Sequence, residues 1–190
     1  MSLKKYLLSA ACLCFIILNG YSQKNKTLRF HSINQLGLLN GQVGSAFQLQ
    51  TVNGIQYKTW FAGAGVGLDY YKIRSIPLFF DARKEFGKTN NVFFVYADIG
   101  INFPSATDKE KVYLANEKYP NRMYVDAGIG YKLKLKNNTA LLFSAGYSYK
   151  KITEQSYGIV PPPYGSPPFD SFDEIDYNLE RLSIKIGIEF

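Results

Sequence analysis

The stretch Tyr124 to Tyr149, "YVDAGIGYKLKLKNNTALLFSAGYSY", constrains the fold more than any other part of the chain. Asp126, Gly128, Gly130, Lys132 and Lys134 hold every second position, and Val125, Ala127, Ile129, Tyr131, Leu133 and Leu135 fill the places between. A period of two puts successive side chains on opposite faces of an extended strand. One face of this strand is continuously apolar; the other is glycine and charge. If the apolar face turns inward, the chain is a soluble β-protein. If it turns outward, the chain is a barrel immersed in lipid.

The same pattern recurs. Eight strand-like segments are expected at 28–39, 45–52, 57–71, 76–84, 92–103, 123–135, 139–150 and 179–190, and no long 3.6-residue apolar period interrupts them. The first is the least regular, its alternation slipping between Ser32 and Gln35, where a bulge is expected. Asn53-Gly54 reads as a hairpin turn between the second and third segments. In the third, Trp60, Ala62, Ala64, Val66 and Leu68 oppose Gly63, Gly65, Gly67 and Asp69. In the last, Leu182, Ile184, Ile186, Ile188 and Phe190 oppose Arg181, Ser183, Lys185, Gly187 and Glu189. Segments of about ten residues match the length a tilted strand needs to cross a hydrocarbon layer.

Connection lengths separate the two architectures. A membrane barrel with an even strand number keeps short turns at one end and longer loops at the other. Here the connections after the even segments, at 53–54, 86–90 and 136–138, are short, and two after odd segments, 104–122 and 151–178, are long, while those after the first and third are short. A soluble sandwich has no reason to segregate its long loops. The expected fold is therefore all-β: an antiparallel, up-and-down, eight-stranded transmembrane barrel. Backbone in a bilayer must close its hydrogen bonds, and a closed barrel does so without edges. Eight strands leave an interior that side chains can fill, and inward glycines make room for Tyr96, Arg83 or Lys185 to cross it.

The N-terminus bears on compartment. Lys4 and Lys5, the apolar run 6–18 and the small residues of Gly20-Tyr21-Ser22 read as a secretory signal over 1–22, leaving 23–190 as one barrel domain. Both cysteines, Cys12 and Cys14, lie inside that segment, so no disulfide framework is expected. Leu8 to Cys12 resembles a lipoprotein processing box, which makes a lipidated Cys12 the alternative. Without Lys4 and Lys5, 20 basic residues face 15 acidic ones, a surplus of about +5. These are dispersed, with no basic run interleaved with stacking aromatics, so a nucleic-acid partner is not expected and lipid head groups are.

From 28 to 190 the pattern resembles the small eight-stranded outer-membrane barrels of the OmpA/OmpX type. The final "LSIKIGIEF" resembles the terminal strand by which such barrels are recognised for assembly, with Phe190 as its aromatic end. The resemblance implies an outer-membrane location, outer-membrane lipid and the assembly machinery as partners, and a range of roles from structural barrels to adhesins and lipid-modifying enzymes.

A barrel hydrolase pairs a histidine with a serine, but the single histidine, His31, neighbours Ser32 in sequence and so faces away from it. No catalytic, cofactor or metal site is expected. "GAGVG" at 63–67 lies within a strand and lacks a nucleotide-binding spacing. The inward charges Asp69, Asp81, Arg83, Asp98, Asp126, Lys132, Lys134, Arg181, Lys185 and Glu189 are expected to form a salt-bridge network filling the lumen, with Arg181 or Lys185 neutralising Asp98 and Asp126. In the segment 151–178, Asp170, Asp173, Glu174 and Asp176 form an acidic run without EF-hand spacing. Tyr157, Tyr164, Phe169 and Phe172 there could anchor a surface ligand. The leading expectation is a monomeric, non-enzymatic outer-membrane barrel that contributes to the envelope and presents its long loops for binding. An outer-membrane lipid-modifying enzyme and a soluble, lipocalin-like binding barrel are the alternatives.

Overall fold

The structure, a computed structural model, describes residues 28–87, 91–105, 116–135, 139–160 and 169–190. The expected signal segment 1–22, with Cys12, and the loop residue Tyr164 lie outside these. The strands are β1 (Leu28–Gly41), β2 (Gly44–Tyr57), β3 (Trp60–Asp69), β4 (Ser75–Phe86), β5 (Asn91–Pro104), β6 (Asn116–Lys118), β7 (Arg122–Lys134), β8 (Ala140–Val160) and β9 (Phe169–Glu189). Each long strand pairs antiparallel with the next, and β9 returns to pair with β1 from Ile33↔Glu189 to Gly41↔Arg181. Eight long strands thus close into an up-and-down barrel. The short β6 only extends the outer end of β8.

The two ends of the barrel differ. Leu28 and Phe190 share one end with the connections 58–59, 87–90 and 135–139. The joins from β1 to β2, β3 to β4, β5 to β7 and β8 to β9 are made at the other. We call these the terminal end and the loop end.

Three local expectations are corrected. The alternation of β1 contains no bulge: its register with β2 runs unbroken from Leu28↔Tyr57 to Gly41↔Gly44. What slips is the chemistry of the faces, with Ile33 and Leu39 buried inside and Asn34 exposed outside. Asn53-Gly54 is not the turn, because β2 continues to Tyr57 and reverses at Lys58-Thr59, where Lys58 takes a left-handed φ of 55°. Gly54 instead faces the lumen opposite Gly63, where a Cβ would collide with the Ala62 carbonyl and the Gly63 Cα of β3 and lie 2.7 Å from the ring of Phe61. The segment 151–178 is largely not a loop, since Lys151↔Asn178 through Val160↔Phe169 continue the β8–β9 ladder.

Burial decides which face is inside. Phe80 is 73% exposed, Ile129 67%, Ile184 65% and Ile99 60%, whereas Arg181 is 1% exposed and Asp69 and Lys150 fully buried. This inverts a soluble protein, in which large contiguous apolar patches on the surface are rare. Aromatic residues mark the margins of the belt: Trp60, Phe86 and Phe93 toward the terminal end, Phe47, Tyr70 and Phe103 toward the loop end. The belt is a lipid-facing surface, and the lumen is the protein's core.

That core is more aromatic than the charge pattern implied. Ile33, Val52, Phe61, Phe79, Phe94, Tyr96, Tyr124 and Leu142 form an apolar cluster inside the barrel. A second cluster, Leu39, Tyr71, Ile73, Ile152 and Leu179, closes the loop end. Inward glycines admit these rings. A Cβ on Gly130 would collide with the ring of Phe94.

Candidate functional site: the barrel lumen

Inward-facing charges can persist in a narrow barrel only as pairs, because an isolated buried ion costs several kcal/mol. All ten charges singled out in the sequence point into the lumen except Lys134, which is exposed at the terminal rim. Lys134 is the last residue of β7, where the wall ends, so parity alone placed it inside.

The charges form layers. At the terminal end Lys132 Nζ lies 2.6 Å from both Glu85 Oε1 and Glu189 Oε1, and His31 Nδ1 lies 2.9 Å from Glu189. His31 therefore belongs to this ion cluster, with Ser32 on the opposite face. One layer further in, Arg83 forks onto Asp81, its Nε and Nη2 at 2.7–3.0 Å from the carboxylate oxygens. With its amide oriented to accept, Gln35 takes two further bonds from the same guanidinium at 3.0 and 3.1 Å.

The central layer is built on a row of like charges. Register places Asp81 opposite Asp98 on β5, and Asp98 opposite Asp126 on β7. Like charges directly opposed across a ladder repel. Lys185 answers from β9, 2.8 Å from Asp126 and 3.8 Å from Asp98. Asp126 is the hub, accepting also from the hydroxyls of Tyr96 (2.9 Å), Tyr124 (3.3 Å) and Ser183 (3.3 Å). Tyr124 in turn accepts from Gln48 and Gln50.

Toward the loop end Asp69 lies 2.5 Å from Arg181 and 3.1 Å from Lys150. Arg181 also donates to Ser148 at 2.7 Å, and Lys150 donates to Ser75 and to the carbonyl of Tyr71. Tyr71 folds into the mouth of the barrel, and its hydroxyl accepts from the Val43 amide at 2.8 Å.

Among the described residues six buried carboxylates thus face five buried cations, with His31 against Glu189. Side chains of the apolar cluster and the ion pairs occupy the middle of the lumen. A cavity of about 540 Å³ opens at the terminal end around Arg29, Lys132 and Lys134, but the void beyond it, beside Arg83 and Phe94, measures about 10 Å³. That is room for about one water molecule.

Sequence reasoning missed Glu85 and Lys150. Both had the right parity, Glu85 following Asp81 and Arg83, Lys150 following Ser144 and Ser148. Glu85 fell beyond the strand end assumed at 84, and Lys150 was the last residue assigned to its strand. Tyr71 had the parity of Gly63, Gly65, Gly67 and Asp69 in the expected segment 57–71, but β3 ends at Asp69 and Tyr71 reaches the lumen from the connection that follows. Of the loop aromatics, Tyr157 and Phe172 are register partners in the β8–β9 ladder, Phe172 is 53% exposed, and Phe169 pairs with Val160. Asp176 and Glu174 are engaged across the same ladder by Lys151, Thr153 and Gln155. No group of acidic or histidine side chains suited to a metal occurs among the described residues. Phe190, the expected assembly residue, exchanges two backbone hydrogen bonds with Ser32 at 3.0 and 3.1 Å.

A closed eight-stranded barrel with an apolar exterior and an ion-paired interior defines the small transmembrane β-barrel class, and structural comparison points the same way. The chain is similar to Neisserial surface protein A (TM-score 0.57, 12% identity, 85% of this chain and 95% of that one). It is similar also to the outer membrane protein OprG of Pseudomonas aeruginosa (0.54, 13%, 86% and 97%) and to the N-terminal β-barrel domain of OprF from the same organism (0.51, 11%, 85% and 97%). At these identities the likeness is one of fold. No protein-family model matches the chain, and neither does any curated protein.

Proposed function

We propose that this chain is an outer-membrane β-barrel without catalytic activity, a plugged structural element of the envelope that presents the extended β8–β9 hairpin on the cell surface. The observation that carries this reading is the lumen, where the Asp69–Arg181–Lys150 cluster and the Tyr71 lid close the path that a channel would need. The terminal end then faces the periplasm and the loop end the exterior, the orientation in which short turns are periplasmic. Lipid surrounds the belt, and the assembly machinery reads the strand ending in Phe190. Phe172, together with the neighbouring aromatics of the hairpin, supplies the surface for an external ligand.

Fractionation of cells expressing the chain, with electrophoresis of unheated and heated membranes, tests the location. Outer-membrane recovery with a heat-dependent mobility shift is expected, and recovery as a soluble protein would overturn it. Planar-bilayer recording of the purified barrel tests the plug: steady single-channel conductance would turn the reading toward a pore.

A further inference from the structure

The lipid-facing belt is broken in one sector. On β1 the outward series runs Phe30, Ser32, Asn34, Leu36, Leu38, so Asn34 sits midway between the two margins. On β2 it runs Phe47, Leu49, Thr51, Asn53, Ile55, Tyr57, with Thr51 and Asn53 in the middle. Register pairs Asn34 with Thr51 and Ser32 with Asn53, making one two-by-two polar block. Asn34 and Asn53 are exposed, and none of the four side chains takes part in the hydrogen bonds found among the described residues. Apart from Lys84, which lies over the ring of Trp60 at the terminal margin, the six other long strands present only alanine, aliphatic and aromatic residues to lipid between their margins.

A carboxamide facing hydrocarbon loses its bonds to water and gains none, and lipid tails offer no donor or acceptor. Polar side chains inside a membrane therefore act as contacts between proteins. We propose that this block is a lateral interface with a second copy of the same chain, packed face to face about a two-fold axis near Asn34 and Asn53. The carboxamide carries both donor and acceptor, so it is its own complement, as an isologous contact requires. The neighbouring β3 supplies small residues, Ala64 beside Asn53 and Ala62 beside Ile55, which let a second wall approach closely. Asn34 and Thr51 of the block line a shallow groove of about 760 Å³ with Leu36, Leu49 and Ile186 on its flanks. These apolar flanks bury against their counterparts and seal the polar centre from lipid. The monomer expected from sequence is thereby replaced by a dimer in the membrane plane. The inference rests on the belt being lipid-facing.

Cysteine crosslinking in intact membranes tests it, using Asn34→Cys, with Ile99→Cys on another wall and the parent chain as controls. A disulfide-linked band at twice the chain mass with Asn34→Cys, absent from both controls, is expected. A Leu36→Cys reporter should crosslink in the same way and lose about tenfold of that band, equivalent to ~1.4 kcal/mol, when Asn34→Leu and Asn53→Leu are added. The unchanged heat-dependent mobility of that variant would show that the barrel still folds. Equal crosslinking at Ile99→Cys, no dimer band, or a crosslink only to another polypeptide would overturn the proposal. Loss of heat-dependent mobility in the parent chain would instead mark failure of the membrane reading beneath it.

Discussion

Lys185 stands between two aspartates that face each other across the β5–β7 ladder, and its loss would leave both buried without a counter-ion. Breaking one partner of a buried pair costs about 3–5 kcal/mol, whereas removing both partners together is far less harmful. We expect Lys185→Met to lower stability by about that amount in denaturant titrations of the barrel in vesicles. The sole tryptophan, Trp60, provides the fluorescence signal. Adding Asp126→Asn to Lys185→Met should recover part of the loss; a double variant as unstable as the sum of its singles would refute the pairing. Gly130 tests packing rather than charge. Its missing Cβ makes room for the ring of Phe94, so Gly130→Val is expected to cost about 1–3 kcal/mol by overpacking. Phe94→Leu on the same chain should relieve part of it.

At the level of elements, the β8–β9 hairpin is the part of the fold that sequence patterning described least well. Alternating apolar residues mark a strand only where one face meets lipid or core, and beyond Thr153 and Tyr177 the ladder leaves both. Its Pro-rich tip and acidic return strand then read as loop, although cross-strand bonds continue. One such bond gives a pH dependence. Hydrogen bonds from Lys151 and Thr153 hold the Asp176 carboxyl below the usual carboxylate range. A depressed folded-state pKa contributes stability above the unfolded value, and that contribution is lost as pH falls through the folded value. Backbone amides of 151–160 and 169–178 should therefore exchange faster below about pH 4 than near neutrality, after correction for intrinsic rates. Protection that rises on acidification would contradict the sign. Asn53-Gly54 teaches a related lesson, because a glycine that reads as a turn was needed inside, against Phe61.

For the whole molecule, inside and outside follow from alternation plus the segregation of connections, and both were legible because a bilayer imposes a period of two over the full height of every wall. The layer-by-layer pairing was legible only in part. Parity shows which charges face inward, but which pairs form depends on the stagger of strands around the barrel, and the pattern carries no sign that β3 ends at Asp69, before Tyr71. The lipid face itself is tested by Ile99→Arg, which should cost about 2–4 kcal/mol by placing charge near the bilayer midplane, measured by the same vesicle titration. A near-neutral result would mean that this wall faces water.

The seam between first and last strands has a kinetic consequence. β9 shares twenty-one paired positions with β8 but nine with β1. The contacts that fill the lumen, such as Arg181 with Asp69 across 112 residues, cannot form until that seam is drawn together. Hairpin pairings, being local, can assemble early, while closure carries the large entropy of joining distant chain segments. Zipping β1 against β9 is then the slow, all-or-none event of assembly. The Ser32–Phe190 bonds are its last stitch, so a chain stalled before them would be an open, twisted ribbon with its charges still wet.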